Sequence, residues 1–318
     1  MKKIVLVTGG AGFIGSHLCE KLIEKGHIVV CLDNFNDYYD PEIKKKNISS
    51  LIRQERFELI KGDILDSALL EKIFKENKIE KIIHLAAIAG VRPSLIKPSL
   101  YIDVDIKGTV NLLEAARKFG VRQFIFGSSS SVYGNNSKVP FSENDPLELQ
   151  ISPYATAKRS AELYCRTYHH LYKIPITVLR FFTVYGPRQR PDMAIHKFTR
   201  LMSNGEEVPV FAQGKSERDY TFVDDILQGV IKALETPFDF EIFNLGNSKT
   251  IRLNKLIDLI SQELGEKPKL KFLPAQPGDV DITYADISKA KKLLGFEPNT
   301  KIEDGVQKFV KWYKNSFS

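Results

Sequence analysis

A doubly wound parallel α/β sheet with a smaller C-terminal α/β lobe is the fold that three observations predict. Short β-branched runs alternate with amphipathic stretches up to residue 180. The first run leads straight into a glycine-rich turn, and beyond Arg180 the pattern loosens into longer, proline-bearing loops. Strand–helix alternation of this kind puts parallel strands in one sheet with helices on both faces. In order, residues 4–8, 28–33, 57–61, 81–85, 123–126 and 176–179 read as buried strands. Residues 13–25, 67–76, 99–119 and 153–172 carry the helical period between them. Pro98 precedes one helix, and Gly26 and Gly120 follow two others, as helix boundaries favour. Shorter helices over 225–235, 254–264, 288–294 and 303–313 belong to the second lobe. The expected division is therefore 1–180 and 181–318, with some crossing back of the chain and a ligand cleft between the lobes.

Composition excludes more than it selects. Of 318 residues 43% are hydrophobic and 27% charged, an ordinary globular balance that argues against disorder, collagen-like repeats and coiled coil. Cys19, Cys31 and Cys165 are scattered and contain no Cys-x-x-Cys, so neither a disulfide framework nor a metal site is expected. No apolar run approaches the ~20 residues that span a bilayer, and Thr8-Gly9-Gly10 interrupts the N-terminal one too early for a signal peptide. A reduced, cytoplasmic protein without a membrane span is the expectation. The net charge of +7 suits an anionic partner, whether nucleic acid, membrane surface or phosphorylated metabolite.

The first turn reads Thr8-Gly9-Gly10-Ala11-Gly12-Phe13-Ile14-Gly15 between a strand and a helix. That context suits a pyrophosphate at a helix N-terminus, where only residues without a β-carbon allow both the turn and the close approach. Asp33 ends the second strand, where a carboxylate binds an adenosine ribose and repels the additional phosphate of NADP. NAD is the expected cofactor. Gly9, Gly12, Phe13, Ile14, Gly15, Asp33 and Asn34 are its candidate contacts. Asp63, Ile64, Leu85, Ala86, Ala87 and Ala89 join them at later strand ends, where core packing explains small apolar residues equally well.

Tyr154 and Lys158 sit four residues apart on one face of a helix. A phenol ionises near pH 10, so use as a base near neutrality needs roughly 4 kcal/mol of help. An ammonium ~4 Å away supplies about that much at an effective dielectric near 20. Upstream, Ser128 to Ser131 leave a strand end at the same edge of the sheet. Blander readings suffice elsewhere. His169-His170 lacks further ligand spacing and reads as a helix face, Lys44-Lys45-Lys46 reads as a solvated helix stretch, and no basic–aromatic module suggests nucleic acid.

Taken with Arg218-Asp219-Tyr220 and Pro277-Gly278-Asp279, these motifs make nearly the whole chain resemble the extended short-chain dehydrogenases/reductases, and among them the nucleotide-sugar epimerases. The resemblance implies a Rossmann-type fold, a catalytic triad of Ser129, Tyr154 and Lys158, bound NAD, and a homodimer formed through 99–119 and 153–172. It implies oxidation of a UDP-sugar at carbon 4, rotation of the keto sugar, and return of the hydride to its other face. Ser130 and Ser131 stand where dehydratases and decarboxylases of this kind carry an acid, which favours epimerisation. Residues 33–41 and 180–194 resemble the loops of UDP-glucuronate 4-epimerases, with Thr183 where galactose-type enzymes usually have Asn. Thr183 and Arg190 would then grip a sugar carboxylate and restrain its loss as carbon dioxide. Arg218 would bind the diphosphate, Asp279 the ribose of UDP and Val210 the uracil, with Ser129, Ser130, Ser131 and Tyr154 lining the sugar site. Gln276 replaces the usual Arg of galactose-type enzymes, and Asp105 replaces a common Asn. The alternatives are a UDP-glucose or UDP-N-acetylglucosamine 4-epimerase, a dehydratase or decarboxylase, and a non-catalytic NAD-binding regulator, which would dispense with Tyr154 or Lys158.

Overall fold

The computed structural model describes residues 3–274 and 280–317. Six strands alternate with helices: β1 (Ile4–Thr8), β2 (Ile28–Asp33), β3 (Phe57–Lys61), β4 (Lys81–His84), β5 (Gln123–Ser129) and β6 (Ile176–Phe181). A seventh, Phe240–Leu245, returns from the C-terminal half to pair with β6. The sheet order is Phe240–Leu245, β6, β5, β4, β1, β2, β3, and every pair is parallel. Order reverses between β1 and β4, which opens a crevice at their C-terminal ends.

Both faces of the sheet are covered, and the strands show it residue by residue. Val5, Val7, Val29, Cys31, Ile83, Ile125 and Leu179 enter one apolar cluster. Leu6, Val30, Leu32, Ile82, Phe124, Phe126 and Val178 enter the other. Strands apolar on both faces belong to a sheet buried on both sides. The first cluster runs on without a break into the C-terminal half, through Val208, Phe222, Ile226, Leu256 and Phe309.

β5 and β6 are longer than the apolar pattern predicts because Ser128 and Ser129 remain in the ladder, opposite Arg180 and Phe181. The predicted helix 99–119 is helical but not uniform. A π-helical stretch, Ile102–Lys107, separates Pro98–Tyr101 from Gly108–Lys118. Its wider turn turns Asp105 into the protein, where it is 1% exposed. Pro41–Ile48 is helical, as its lysine run suggests, but Lys44 is buried rather than solvated. Its ammonium donates to the Asn36 carbonyl at 2.7 Å and lies 4.9 Å from the Tyr39 ring centre. Among the described residues no helix is long and apolar enough to cross a membrane.

Candidate active site

Two adjoining cavities, of about 220 Å³ and 340 Å³, lie at the C-terminal edge of the sheet. All of Gly9, Gly12, Phe13, Ile14, Gly15, Asp33, Asn34, Asp63, Ile64, Leu85, Ala86, Ala87, Ala89, Tyr154 and Lys158 border the first. Gly9 has φ +69, and a β-carbon there would lie 2.8 Å from the Ala86 nitrogen; one on Gly15 would strike the Gly9 carbonyl. Gly12 caps the helix Phe13–Glu24 without a side-chain hydrogen bond, and its first turn holds no acid. Backbone N–H groups therefore face the cavity with no competing carboxylate, which fits a dinucleotide's pyrophosphate. Asp33 accepts N–H bonds from Ala11 at 3.0 Å and Phe35 at 2.9 Å, so one carboxylate ties both neighbouring loops while bordering the cavity.

Behind the glycine loop runs a polar chain of defined direction. The Ala86 N–H donates to Thr8 Oγ1 at 3.2 Å. At the far end the Thr109 hydroxyl donates to the Asp105 carbonyl at 2.6 Å, so it must accept from His84 Nε2 at 3.0 Å. Burial, with the Lys158 charge adding to it, pushes the imidazole down to about 3, so His84 is neutral. His84 Nδ1 is then the acceptor for the Thr8 hydroxyl at 2.7 Å. The Asp105 side chain accepts the Ile88 N–H at 2.8 Å through Oδ1, while Oδ2 lies 4.0 Å from Lys158 Nζ. Burial pushes this carboxyl up to about 6, against the opposing effects of Lys158 and the Ile88 N–H.

Ser152 caps the helix Pro153–Tyr172, accepting the Ala155 N–H at 3.2 Å, and Pro153 opens its first turn. Tyr154 thus stands at the positive end of a helix, which favours a developing phenolate. One turn on, Lys158 is 4% exposed and donates to the Gly127 carbonyl at 3.2 Å. Ser129 caps the short turn Ser130–Tyr133 and accepts the Ser131 N–H at 3.1 Å. Ser128 is committed elsewhere. It donates to Glu162 at 2.6 Å, and Glu162 in turn takes a bidentate pair from the buried Arg180 at 2.9 and 2.8 Å. That network fixes the serine turn from beneath.

Ser129, Ser130, Ser131, Thr183, Arg190 and Arg218 border the second cavity, and Tyr154 and Arg190 border both. Arg190 is held by Asp192, with Nε and Nη2 each 2.9 Å from a carboxylate oxygen. Burial alone would lower the guanidinium's pKa, but Asp192 keeps it above its usual value. The loop around it is clamped to the cofactor-side helix. Arg188 reaches Glu20 at 2.7 Å and Ser16 at 3.3 Å, and the Pro187 carbonyl meets the His17 ring at 2.9 Å. Arg218 donates to the carbonyls of Glu217 and Asp281. Val210 does not fit its expected place. It is a core residue with 0% exposure and borders neither cavity, because its strand turns that side chain inward. Asp279 and Gln276 lie outside the described residues.

Sequence reasoning did not single out Tyr38, Asn36 or Lys44 at the first cavity, Met193 at the second, or Asp192 and His84 behind them. A polar His ending an apolar strand and an Asp two residues beyond an Arg were the available signals.

A doubly wound dinucleotide fold with a Tyr-x-x-x-Lys pair where two cavities meet defines an extended short-chain dehydrogenase/reductase. The chain belongs within that class to the GDP-mannose 4,6 dehydratase family, whose model matches residues 6–309. It is 44% identical over 312 residues to the UDP-glucuronate 4-epimerase of Thermodesulfobacterium geofontis, covering 98% of this chain and 96% of that protein. UDP-glucuronate 4-epimerase 4 of Arabidopsis thaliana is 41% identical over 332 residues, 99% of this chain and 76% of the plant protein. Among solved structures, the UDP-glucuronic acid 4-epimerase of Bacillus cereus in complex with UDP-glucuronic acid and NAD matches with a TM-score of 0.94 at 38% identity. That match covers 99% of this chain and 100% of the other. The UDP-glucose 4-epimerase of Thermotoga maritima with UDP-glucose matches at 0.90 and 36% identity, covering 99% and 100%.

Proposed function

We propose that the protein is an NAD-dependent UDP-sugar 4-epimerase acting on UDP-glucuronate to give UDP-galacturonate. The observation that carries this reading is the position of Tyr154, the one phenol at the junction of the two cavities, with Lys158 a helical turn behind it. Bound in the first cavity, NAD supplies the acceptor, and then the donor, of one hydride at sugar carbon 4. Tyr154 Oη takes the proton of the 4-hydroxyl and gives it back, aided by the helix N-terminus and the Lys158 ammonium. Ser129 orients the same sugar oxygen. Ser130 and Ser131 offer no carboxyl to protonate a leaving hydroxyl, so elimination is unsupported. Asp33 receives the adenosine ribose and disfavours NADP, while Arg218 meets the diphosphate.

Thr183 and Arg190 grip the uronate carboxylate, and the same grip restrains decarboxylation of the 4-keto uronic acid, a β-keto acid. A second reading, 4-epimerisation of a neutral UDP-sugar, draws on one observation: Asp192 already neutralises Arg190. Incubation with UDP-glucuronate, UDP-glucose and UDP-N-acetylglucosamine separately, with products resolved by NMR, tests the choice. A 4-epimer from UDP-glucuronate alone is expected, with a drop of about tenfold or more in Arg190→Ala. Turnover of a neutral sugar only, or an undiminished Arg190→Ala, overturns the assignment, and a pentose product would mean that decarboxylation is not restrained.

Two further features complete the proposal. Residues 1–180 bind the cofactor and 181–318 the nucleotide sugar, the strand Phe240–Leu245 crossing back. Ile102, Leu163, Tyr164, Leu171 and Tyr172 are exposed on the helical runs 99–118 and 153–172, and they form the face of a homodimer. Light scattering of the purified protein should give a dimer's mass; a monomer's mass would refute it. With three buried free cysteines, the chain suits a reducing cytoplasm.

A further inference from the structure

We propose that Asp192 is a positioning residue for substrate specificity, holding Arg190 side-on so that its other edge meets the carboxylate of a UDP-uronate. This rests on the reading of Arg190 as the carboxylate's partner. A guanidinium has five N–H donors in one rigid plane. The Nε and Nη2 edge goes to Asp192, with both distances 2.9 Å. Nη1 donates nothing to Asp192, so the end-on edge formed by Nη1 and the second Nη2 hydrogen remains a second fork with carboxylate spacing. Arg190 borders both cavities, whereas Asp192 stands behind it, outside both linings.

The pair is preset by the chain. Pro191 separates the partners and fixes the backbone between them, and the Met193 N–H closes the turn on the Arg190 carbonyl at 3.2 Å. On the upstream side Gln189 is fixed by its own N–H to the Gly186 carbonyl at 3.1 Å and by the His196 ring against its carbonyl at 2.5 Å. Tyr38 walls the pair in, with its hydroxyl 3.4 Å from Asp192 Oδ2 and its ring centre 5.7 Å from Arg190 Cζ.

Energetics favour orientation over the alternatives. The two side chains are 21% and 38% exposed, and a pair that is only partly buried contributes little to folding. Neutralised by Asp192, Arg190 draws a distant anion weakly, so what it brings to recognition is direction. An arginine already held in one rotamer loses less freedom when substrate binds.

The test uses the full chain as wild type, Asp192→Ala, Asp192→Asn and Arg190→Ala, each first shown by its melting temperature to be folded. Kinetics with UDP-glucuronate and calorimetric titrations with UDP-glucuronate and with UDP, which has no carboxylate, provide the readouts. Asp192→Ala should raise KM for UDP-glucuronate about tenfold, more than it lowers kcat, and weaken its binding alike, with UDP affinity within about twofold. Asp192→Asn, which keeps one acceptor oxygen, should fall between and serves if the alanine variant does not fold. Unchanged or tighter UDP-glucuronate binding in the Asp192 variants, alongside weakened binding in Arg190→Ala, overturns the proposal and leaves Arg190 as the partner. Equal weakening of UDP and UDP-glucuronate overturns it as well, since Asp192 would then merely support the loop. If Arg190→Ala binds UDP-glucuronate as wild type does, the reading of Arg190 fails, and the proposal fails with it.

Discussion

On the glycine-loop side of Tyr154 the part of the cavity wall nearest the turn is backbone and small side chains, set by Gly9, Gly12, Gly15, Ala86 and Ala87. On the other side hydroxyls and two arginines, each held by partners of its own, project from a lining that also holds Phe181, Phe182 and Met193. The first wall is fixed by steric exclusion, because nothing larger than hydrogen fits at Gly9 or Gly15. The second is fixed by hydrogen bonds and ion pairs, which can be exchanged one side chain at a time. The two walls divide the labour: a half set by backbone sterics for the cofactor, and a half that side-chain exchange can adjust for the sugar.

Substitution at the junction should break both halves at once. Tyr154→Phe removes the phenol that borders both cavities and should lower kcat by about 10³-fold while UDP-glucuronate still binds. Stopped-flow or NMR turnover checks this, and a loss below tenfold would move the base elsewhere. The next effect separates the halves. Gly15→Ala forces the loop carbonyl of Gly9 to move, at about 3 kcal/mol, so NAD affinity should fall about a hundredfold while UDP affinity is kept. Parallel loss of UDP affinity in calorimetry would show that the walls are not independent.

The smallest effect lies behind the cofactor wall. Asp105 holds its proton up to about 6 when folded, whereas an unfolded aspartate releases it near 4. Between those values the folded chain binds more protons, so stability falls as pH rises and the full penalty is present above about 6. Asp105→Asn removes the penalty but leaves an amide beside Lys158. It should therefore gain about 1–2 kcal/mol relative to wild type at pH 8, and no such gain at pH 4. An equal difference in melting temperature at both pH values would contradict the assignment.

The two walls also differ in how readily a sequence discloses them. Gly9, Gly12, Gly15 and Asp33 are legible because their reasons are local: a sharp turn, a close approach, a strand end. So are most strands and long helices, whose periodicity is a property of neighbours. The chain from Ala86 to Thr109 and the approach of Asp105 to Lys158 depend on segments brought together by the sheet, whereas the Arg190–Asp192 pair and the burial of Lys44 are set by the path of a single loop, which has no period to read. Val210 shows the opposite error. A resemblance assigned it a ligand, but the period of its strand sends the side chain into the core. Hydroxyls cost the strand ends too, since Ser128 and Ser129 extend β5 without the apolar signal that marks a strand.

Phe240–Leu245 has a consequence for how the protein is made. While the chain emerges from the ribosome, β6 is complete long before the strand that covers it, and until then the sheet ends in an open, apolar edge. The first cluster likewise lacks Phe222, Ile226 and Phe309. The nascent N-terminal half is therefore a template for unwanted pairing that only late synthesis closes, and a fragment ending at residue 181 should aggregate rather than behave as a free-standing cofactor domain.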